Sequence, residues 1–453
     1  MKNLRIKLAI YCAKAVSVFI QKLKKGNGLT LPGYVARLIE PHILSILAGM
    51  VREKIIVTTG TNGKTTTNSI LCHMLKSDGK AVLINETGAN MVNGIVSAFV
   101  LATGRHGFLD VDYACIEADE AASVHILPLL NPHCVILTNI FRDQLDRFGE
   151  TDSICNMIQK AVSAVPAAKL ILNCDDVLSY SLASKCPNPV ITYGISQQIF
   201  DGASRSETRE SIFCRFCGKK LEFSFFHYGQ LGIYHCCGCG FSRPAPDYTA
   251  ENITHYDGLY SFYINGSYIH SNAHTAYNIY NTLSACAALC SLNALGTDFK
   301  SAIESFDYGN RRENTFMIND ASVQLHLAKN PIGFQQKISL IVNDSRPKDL
   351  IILINDTALD GKDISWLWDV DFQYLLKAKI VTLLTIGSRR YDMELRLKYE
   401  DIPCNSASDM RSAIERLTIS GTKNLYIIVN YSGLYQTNAL LEELQSQEKG
   451  GLT

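Results

Sequence analysis

The sequence has no excess of charge of either sign and no long uninterrupted apolar run. Its 43 lysines and arginines balance 43 aspartates and glutamates, so the overall charge does not favour a nucleic-acid partner, which would require a basic face. The apolar stretch within residues 1–25 is interrupted by Lys7 and Lys14 and is too short to span a bilayer. No small-residue cleavage site follows it, so we expect a cytoplasmic protein without a signal peptide.

The N-terminal stretch predicts an amphipathic helix. Its apolar residues recur with the 3.6-residue period of an α-helix. The apolar face either packs against the body of the protein or rests on a membrane surface, and the sequence leaves both interpretations open. The residues that define this face are Leu8, Tyr11, Cys12, Ala15, Phe19 and Ile20.

Fifteen cysteines are present, and five of them are clustered. A reducing cytoplasm disfavours disulfides, and the ten scattered cysteines lie in apolar stretches, as buried free thiols do. The clustered pairs, Cys214-x2-Cys217 and Cys236-x2-Cys239, are separated by 18 residues, which is the spacing of a structural four-cysteine zinc ribbon. An alternative ligand set uses Cys237 in place of Cys236. A redox pair is disfavoured because no thioredoxin-like strand precedes it.

The order of apolar runs predicts a mixed α/β fold with more than one domain. Short runs at 54–59, 113–119, 133–140 and 168–176 alternate with helical segments, which is typical of a parallel sheet with crossover helices. YSFYINGSYIH (260–270) predicts a hairpin with an Asn-Gly turn. We predict an N-terminal helical segment at 1–50, a central nucleotide-binding domain at 51–308 with a cysteine-rich insertion at about 205–245, and a Rossmann-like α/β domain at 309–448.

A glycine loop follows the first predicted strand. TTGTNGKTTT (58–67) places Gly60-x-x-Gly63-Lys64-Thr65 between a strand and a helix, where backbone N–H groups at a helix N-terminus bind phosphates. Lys64 would reach the β- and γ-phosphates of ATP, and Thr65 or Thr66 would contact Mg²⁺. The predicted nucleotide-binding residues of the loop are Gly60, Thr61, Asn62, Gly63, Lys64, Thr65 and Thr66.

The motif GTNGKTTT is shorter between its glycines than the usual P-loop and resembles that of the Mur ligase superfamily, which includes the folylpolyglutamate synthetases. Its members form amide bonds: ATP phosphorylates a carboxylate, and an amine attacks the acyl phosphate. The resemblance implies that Glu117, in IEADE, is a magnesium ligand. It also implies that Asn139, in TNIFRDQLDRFGE, belongs to the nucleotide site, although Gln144 replaces the metal-binding histidine of the superfamily.

Further positions follow from the same resemblance. Asn278 and Asn281, in YNIYN, match residues that contact the nucleotide base, and Arg311 or Arg312 matches the arginine that reaches the phosphates from the hinge. About 50 residues precede the loop, too few for the domain that binds UDP in cytoplasmic Mur ligases. This leaves a folylpolyglutamate-type enzyme or a ligase of a lipid-linked precursor.

A cysteine-rich insertion within such a domain points to one branch of the superfamily. Over nearly its full length the chain resembles the MurT family, the ligase-like subunits of lipid II isoglutaminyl synthases. Beside the ribbon, the resemblance is carried by LPGYVARLIEPHIL (31–44), GANMVNG (88–94), LAKNPIGF (327–334) and NDTALDGKDISWLWDVDF (355–372). Thr275 departs from the family pattern, in which glycine is usual.

The MurT resemblance implies a partner and a reaction. Members pair with GatD, a glutamine amidotransferase subunit that releases ammonia. With ATP and Mg²⁺ they amidate the α-carboxylate of D-glutamate in the lipid II stem peptide to D-isoglutamine, at the inner face of the cell membrane. Asp363, in DGKDISW, would complete the partner's Cys–His pair. Trp366 and Trp368, beside it, fit either an interface or a core.

Two other functions compete with this interpretation. A stand-alone ligase of folylpolyglutamate type would add an amino acid rather than ammonia, but the ribbon and DGKDISW argue against it. A zinc-ribbon ATPase could instead bind nucleic acid or serve as a scaffold. The neutral charge and the carboxylate-activating residues argue against that function.

Overall fold

The computed structural model describes residues 2–23, 29–85, 88–141, 151–199, 211–256, 259–273, 275–308, 313–357 and 360–450. The described residues form two compact units, the first within Met1–Ile140, Thr151–Asp201 and Ser211–Tyr308 and the second mainly within Gly309–Thr453. Arg311 and Arg312, together with Gln144, lie outside the described residues.

The first unit is built on a nine-stranded sheet. Its strands are β1 Lys54–Thr59, β2 Val82–Ile84, β3 Tyr113–Glu117, β4 Cys134–Leu137, β5 Lys169–Asn173, β6 Val190–Ile195, β9 Tyr248–Tyr256, β10 Leu259–Ile264 and β11 Ser267–His270. They lie in the order β11-β10-β9-β6-β5-β4-β1-β3-β2. The seven strands from β9 to β2 in this order are parallel to their neighbours. The central strands β1 and β4 are buried on both faces, which explains their continuous apolar runs.

Of the helices that the structure describes in this unit, three precede β1, five connect successive strands from β1 to β6, and two follow β11. They are α1 Lys2–Leu23, α2 Leu31–Ile39, α3 Ile43–Ala48, α4 Lys64–Ser77, α5 Val92–Ala102, α6 Glu120–Leu130, α7 Thr151–Ser163, α8 Val177–Tyr180, α9 Ala276–Ser291 and α10 Phe299–Glu304. Helix α9 is buried on all sides from Asn278 to Leu289, which accounts for its run of alanine, leucine and cysteine.

The order of the strands positions the glycine loop. After β1 the chain continues through α4 to β2 on one side of the sheet, whereas after β4 it continues to β5 on the other side. Because neighbouring strands whose connections leave in opposite directions open a crevice at their carboxyl ends, the ends of β1 and β4 form the expected ligand position of such a sheet.

Helix α1 is present as predicted, but most of its predicted apolar face is turned to solvent. The helix packs through Ala9, Ile10 and Ala13, whereas Leu8 and Phe19 are more than half exposed. The helix therefore packs on the body of the protein, as one of the two interpretations predicted, but it does so through a different face from the predicted one. Among the described helices, none has the length and hydrophobicity that crossing a membrane requires.

Two hairpins complete the first unit. Strands β10 and β11 pair around Asn265 and Gly266, which both have positive φ, so the predicted Asn-Gly turn is confirmed. Within the described part of the cysteine-rich insertion, β7 (Glu222–Tyr228) and β8 (Leu231–His235) form a separate antiparallel pair.

The second unit has its own six-stranded sheet. Its strands are β12 Glu313–Ile318, β13 Ala321–Leu327, β14 Lys348–Leu353, β15 Ile380–Ile386, β16 Asn405–Ser406 and β17 Asn424–Val429, in the order β12-β13-β17-β14-β15-β16. The helices are α11 Pro331–Asn343, α12 Arg390–Lys398, α13 Met410–Ser420 and α14 Tyr431–Gly450, with short 3₁₀ helices at Ser365–Asp369 and Phe372–Lys377. Among the described strands of this sheet, only the edge strand β12 runs antiparallel to its neighbour. The mixed α/β class predicted from the sequence is confirmed in both units.

Candidate functional site

The glycine loop, residues 60–63, joins β1 to α4. Gly60 and Gly63 have φ values of +118° and +86°, a region that L-residues with side chains rarely adopt. A Cβ atom at Gly60 would lie 2.4 Å from Oγ1 of Thr138, and one at Gly63 would lie 2.3 Å from Oδ1 of Asn281. Both glycines are therefore required by backbone conformation and by close neighbours. Helix α4 begins at Lys64, so its N-terminus offers backbone N–H groups and the positive end of the helix dipole to an anion.

Asn139, which follows β4, holds the loop from the side. Its Oδ1 accepts a hydrogen bond from the backbone N–H of Asn62 at 2.9 Å, and its Nδ2 donates to the carbonyl oxygen of Asn62 at 3.0 Å. The backbone N–H of Thr61 donates to the Asn139 carbonyl at 2.9 Å. Asn139 is buried. Its side-chain amide shapes the loop, a positioning role that the motif comparison alone did not specify.

Two carboxylates lie at the start of α4. Oγ1 of Thr65 donates to Oε2 of Glu117 at 2.7 Å, and Nδ2 of Asn90 donates to the other carboxylate oxygen of Glu117 at 3.3 Å. Glu117 ends β3 and is buried. A hydroxyl and a carboxylate held this close are hard oxygen donors of the kind that Mg²⁺ prefers, so this pair fits the predicted metal position.

The second carboxylate, Glu120, was not predicted from the sequence. Nζ of Lys64 lies 3.2 Å from Oε1 of Glu120, and the two side chains are 11% and 8% exposed. Nζ of Lys64 also donates to the carbonyl oxygen of Gly60. The ammonium group is thereby held over the loop. The acidic pair three residues apart in IEADE, Glu117 and Glu120, is the signal that could have identified it.

Helix α9 places its asparagines against α4. Oγ1 of Thr67 donates to Oδ1 of Asn281 at 3.4 Å, and Nδ2 of Asn281 donates to Oδ1 of Asn278 at 3.0 Å. Both asparagines are buried. The structure thus brings Asn281 to the glycine loop, while Asn278 reaches the loop through Asn281. Thr66 is buried in the first turn of α4.

Asp363 lies in the second unit, two residues before the start of the 3₁₀ helix Ser365–Asp369. Its Oδ1 accepts a hydrogen bond from the backbone N–H of Ser365 at 2.8 Å, and the residue is partly exposed. Two neighbouring acids form hydrogen bonds within the second unit. Oδ1 of Asp360 accepts from the Ser432 N–H at 2.8 Å, and Oδ1 of Asp356 accepts from Oγ of Ser388 at 2.7 Å.

The two tryptophans beside Asp363 occupy different environments. Trp366 is 8% exposed and belongs to a core cluster, with its ring centroid 5.9 Å from that of Phe334. Trp368 is 51% exposed, its ring lies edge-on to Tyr399, and the guanidinium of Arg396 lies 5.2 Å from its centroid. Of the two alternatives, Trp366 fits a core residue and Trp368 a surface residue.

Four cysteines converge at one end of the β7–β8 hairpin. The Sγ atoms of Cys214, Cys217, Cys236 and Cys239 lie within 4.8 Å of one another. Four thiolates around a tetrahedral ion with ligand bonds of about 2.3 Å would be about 3.8 Å apart, so this cluster fits one metal ion. Cys237 instead points its exposed thiol at Oε1 of Glu222, 3.6 Å away. The structure therefore gathers Cys236 and leaves Cys237 outside the cluster.

The turn of this hairpin is anchored beside the glycine loop. Gln230, in the turn of the hairpin, donates from Nε2 to the Ile140 carbonyl at 2.7 Å and to Oδ1 of Asp176 at 2.8 Å. The N–H of Ile140 donates to the same carboxylate at 2.7 Å. Burial raises the pKa of Asp176 to about 6 although these hydrogen bonds lower it. Since Ile140 follows Asn139, the insertion contacts the segment that shapes the loop.

A second anchor joins the insertion to α9. Asp175 is fully buried. Its carboxylate accepts from Nε of Arg243 at 2.8 Å and from the hydroxyl of Tyr280 at 2.7 Å. Tyr280 lies between Asn278 and Asn281 on α9. None of these partners was predicted, because each pair is distant in the sequence.

Comparison with known protein families matches both units. Residues 58–289 match the Mur ligase middle domain, and residues 327–434 match the MurT ligase C-terminal domain. The chain is 33% identical over 99% of both chains to "Lipid II isoglutaminyl synthase (glutamine-hydrolyzing) subunit MurT" of Streptococcus pneumoniae. It is also 33% identical, over 98% of both chains, to the protein of the same name from Staphylococcus aureus.

Comparison with solved structures shows the same fold. A pseudomurein peptide ligase type C from Methanothermus fervidus has a TM-score of 0.68 at 23% identity, covering 88% of this chain and 80% of that one. MurF from Acinetobacter baumannii has a TM-score of 0.64 at 15% identity, covering 91% and 80%. At these identities the likeness concerns the fold alone, and it confirms the predicted Mur ligase architecture.

Proposed function

The chain belongs to the MurT family of lipid II isoglutaminyl synthase subunits, and from this premise we propose that it amidates lipid II in peptidoglycan synthesis. In the proposed reaction ATP phosphorylates the α-carboxylate of D-glutamate in the stem peptide, ammonia attacks the acyl phosphate, and D-isoglutamine, ADP and phosphate result. The observation that carries the proposal is the 33% sequence identity to MurT subunits over nearly the full length of the chain. The glycine loop, whose neighbours fit ATP and Mg²⁺, supports it.

The glycine loop supplies the phosphate-binding groups in this proposal. Backbone N–H groups from Gly60 to Thr66 bind the phosphate oxygens, and Lys64 places a positive charge where negative charge develops during transfer. Thr65 and Glu117 hold Mg²⁺, which when bound screens the phosphates and orients them for transfer. Asn139 and Asn281 keep the loop in its binding conformation. Arg311, predicted to reach the phosphates, stays a prediction because it lies outside the described residues.

A GatD-like glutamine amidotransferase subunit is the proposed source of ammonia, since the relatives are named as glutamine-hydrolysing subunits. In this proposal Asp363 orients the histidine of the partner's Cys–His pair. Its partial exposure and the Ser365 N–H bond, which holds one carboxylate oxygen, support that role. Asp360 fits it less well because it is buried, and Asp356 fits it less well because Ser388 and Arg389 contact both of its carboxylate oxygens.

We propose that the four-cysteine cluster holds a structural zinc ion. Four thiolates fill the tetrahedral sites that Zn²⁺ prefers and leave no position for substrate. The hairpin that carries the cluster bonds to the segment after Asn139, so the ion would stabilise the surroundings of the nucleotide site rather than take part in chemistry.

A direct assay tests the proposed reaction. The chain is incubated with ATP, Mg²⁺ and lipid II, with either ammonium chloride or free glutamate, and the product is identified by mass spectrometry. We expect amidation with ammonium and no product with glutamate. Lys64→Ala should abolish the amidation, because the loop loses the charge that binds the phosphates.

Other results would contradict the proposal. Addition of glutamate would identify an amino-acid ligase of folylpolyglutamate type, and unaltered turnover in Lys64→Ala would exclude the glycine loop from the reaction.

A further inference from the structure

Helix α1 presents a row of apolar side chains to solvent. Leu4, Leu8, Tyr11 and Phe19 recur at the spacing of one helical face, and each is between 53% and 75% exposed. Val18, on the same side, is 52% exposed. A single exposed leucine needs no explanation, but a continuous apolar row on one helix does.

The opposite face of α1 fixes the helix in this orientation. Ala9, Ile10 and Ala13 are fully buried. Nε of Arg5 donates to the carbonyl oxygen of Ile39 at the end of α2. From the exposed row, the hydroxyl of Tyr11 reaches the body of the protein, where it donates to the Arg105 carbonyl at 2.6 Å. The apolar row therefore faces outward because the other side is already packed.

Helix α2 repeats the arrangement. Its inner side is buried at Pro32, Gly33 and Ala36, and a Cβ atom at Gly33 would lie 1.9 Å from the carbonyl oxygen of Asn93 on α5. Helix α2 thus lies flush on α5. Its outward side carries apolar residues that are 46% to 64% exposed, which together with those of α1 we term the N-terminal outer face. The members of this face are Leu4, Leu8, Tyr11, Val18, Phe19, Leu31, Tyr34 and Leu38.

Charge is distributed unevenly around this face. Eight of the 43 basic residues and none of the 43 acidic residues precede Glu40, in a chain whose formal net charge is zero. Lys7 and Lys22 are exposed on α1 itself. The basic residues of this segment are Lys2, Arg5, Lys7, Lys14, Lys22, Lys24, Lys25 and Arg37.

We propose that the N-terminal outer face docks on an anionic lipid bilayer, with α1 lying in the plane of the interface. Apolar side chains on one face and basic residues without acidic ones are the features of interfacial helices, and the negative surface of a membrane attracts such a segment. Long lysine side chains reach the headgroups while the apolar row enters the acyl boundary. This inference rests on the proposed function, because a lipid-linked substrate such as lipid II is located at a membrane.

Vesicle co-sedimentation of the full chain tests the proposal. We expect binding to vesicles of phosphatidylglycerol and phosphatidylcholine, weak binding to phosphatidylcholine alone, and release as sodium chloride is raised. The double variant Leu8→Glu/Phe19→Glu should reduce binding at least about tenfold, because two apolar side chains no longer enter the bilayer. Lys7→Glu/Lys22→Glu should weaken binding by at least about fivefold at each position, because each substitution removes a positive charge and adds a negative one.

Ile419→Glu is the matched control, since Ile419 is 66% exposed on α13 of the second unit and should leave vesicle binding unchanged. Circular dichroism confirms that the variants fold. The proposal is overturned if the chain does not bind phosphatidylglycerol vesicles or if Leu8→Glu/Phe19→Glu binds as the parent does. If Leu8→Glu/Phe19→Glu no longer binds the amidotransferase partner but still binds vesicles, the proposal is also overturned. The face would then be a protein interface.

Amidation of detergent-solubilised lipid II separates this proposal from the proposed function. The Leu8→Glu/Phe19→Glu variant should retain ammonium-dependent turnover in detergent micelles, because the enzyme does not have to dock on a bilayer to reach the substrate. If the parent chain fails in detergent, the proposed function fails whatever the vesicles show. If the parent succeeds in detergent and does not bind vesicles, only the docking proposal fails.

Discussion

Gly63 and Gly79 flank α4, and both have positive φ, +86° and +74°. They differ in their surroundings. A Cβ atom at Gly63 would meet Oδ1 of Asn281 at 2.3 Å, whereas one at Gly79 would meet nothing within 4 Å. At the scale of single residues, this pair separates the cost of backbone strain from the effect of displacing a group in the nucleotide site.

Gly63→Ala should impair ATP binding, and Gly79→Ala should not. Both substitutions place a side chain in the left-handed region, which costs roughly 1–2 kcal/mol of unfolding free energy. Gly63→Ala also forces Asn281 away from the loop, so we expect the KM for ATP to rise at least about tenfold. The measurements are thermal unfolding and ATP titration of ammonium-dependent amidation. An unchanged KM in Gly63→Ala would show that Asn281 moves without consequence for the nucleotide.

The β7–β8 hairpin is the element that distinguishes the first unit from a plain nucleotide-binding sheet. At one end it carries the four-cysteine cluster, and at the other Gln230 bonds to Ile140 and Asp176. A two-stranded hairpin is marginally stable by itself in water. A metal bound at the cluster would therefore stabilise the hairpin and keep Gln230 in contact with the segment after Asn139.

Cysteine substitutions test the metal and its ligand set. Cys214→Ser and Cys236→Ser should each lose zinc, measured by elemental analysis of the purified chain, and should lose roughly 3 kcal/mol or more of unfolding free energy. Cys237→Ser is the matched control, because the Cys237 thiol points to Glu222 and away from the cluster. Zinc retained in Cys236→Ser but lost in Cys237→Ser would assign the ligand to Cys237.

At the scale of the whole molecule, the two units carry different parts of the proposed activity. The first holds the glycine loop, Glu117 and the cysteine cluster, and the second holds Asp363. Activation of the carboxylate and supply of ammonia are thus assigned to separate compact units, each with its own sheet and core. A substitution at Asp363 should affect only the supply of ammonia from glutamine.

Asp363→Asn should separate the two nitrogen sources. With the amidotransferase partner present, glutamine-driven amidation should fall by about a thousandfold, because an asparagine does not stabilise the imidazolium of the partner's histidine. Ammonium-driven amidation should be unchanged. Asp356→Asn is the control, since Asp356 bonds within its unit to Ser388, and it should retain both activities. Equal loss of both in Asp363→Asn would place Asp363 in the ligase site instead.

The sequence by itself determined the features whose residues are neighbours along the chain. The strand, glycine loop and α4 follow one another within residues 54–77, the Asn265-Gly266 turn joins two adjacent strands, and each cysteine pair spans four residues. Such features depend on backbone conformation and local spacing, which a sequence displays directly. Full-length similarity to a family supplied the function and the role proposed for Asp363.

The tertiary structure alone decided which distant groups meet and which faces stay exposed. Gln230 contacts Ile140 and Asp176 across 90 and 54 positions, Glu120 meets Lys64 across 56, and Cys236 rather than Cys237 joins the cluster. Helix α1 packs through two alanines and one isoleucine and turns its larger apolar side chains outward. The physical reason is that a periodic pattern identifies an apolar face, whereas only the elements packed around a helix determine whether that face is covered.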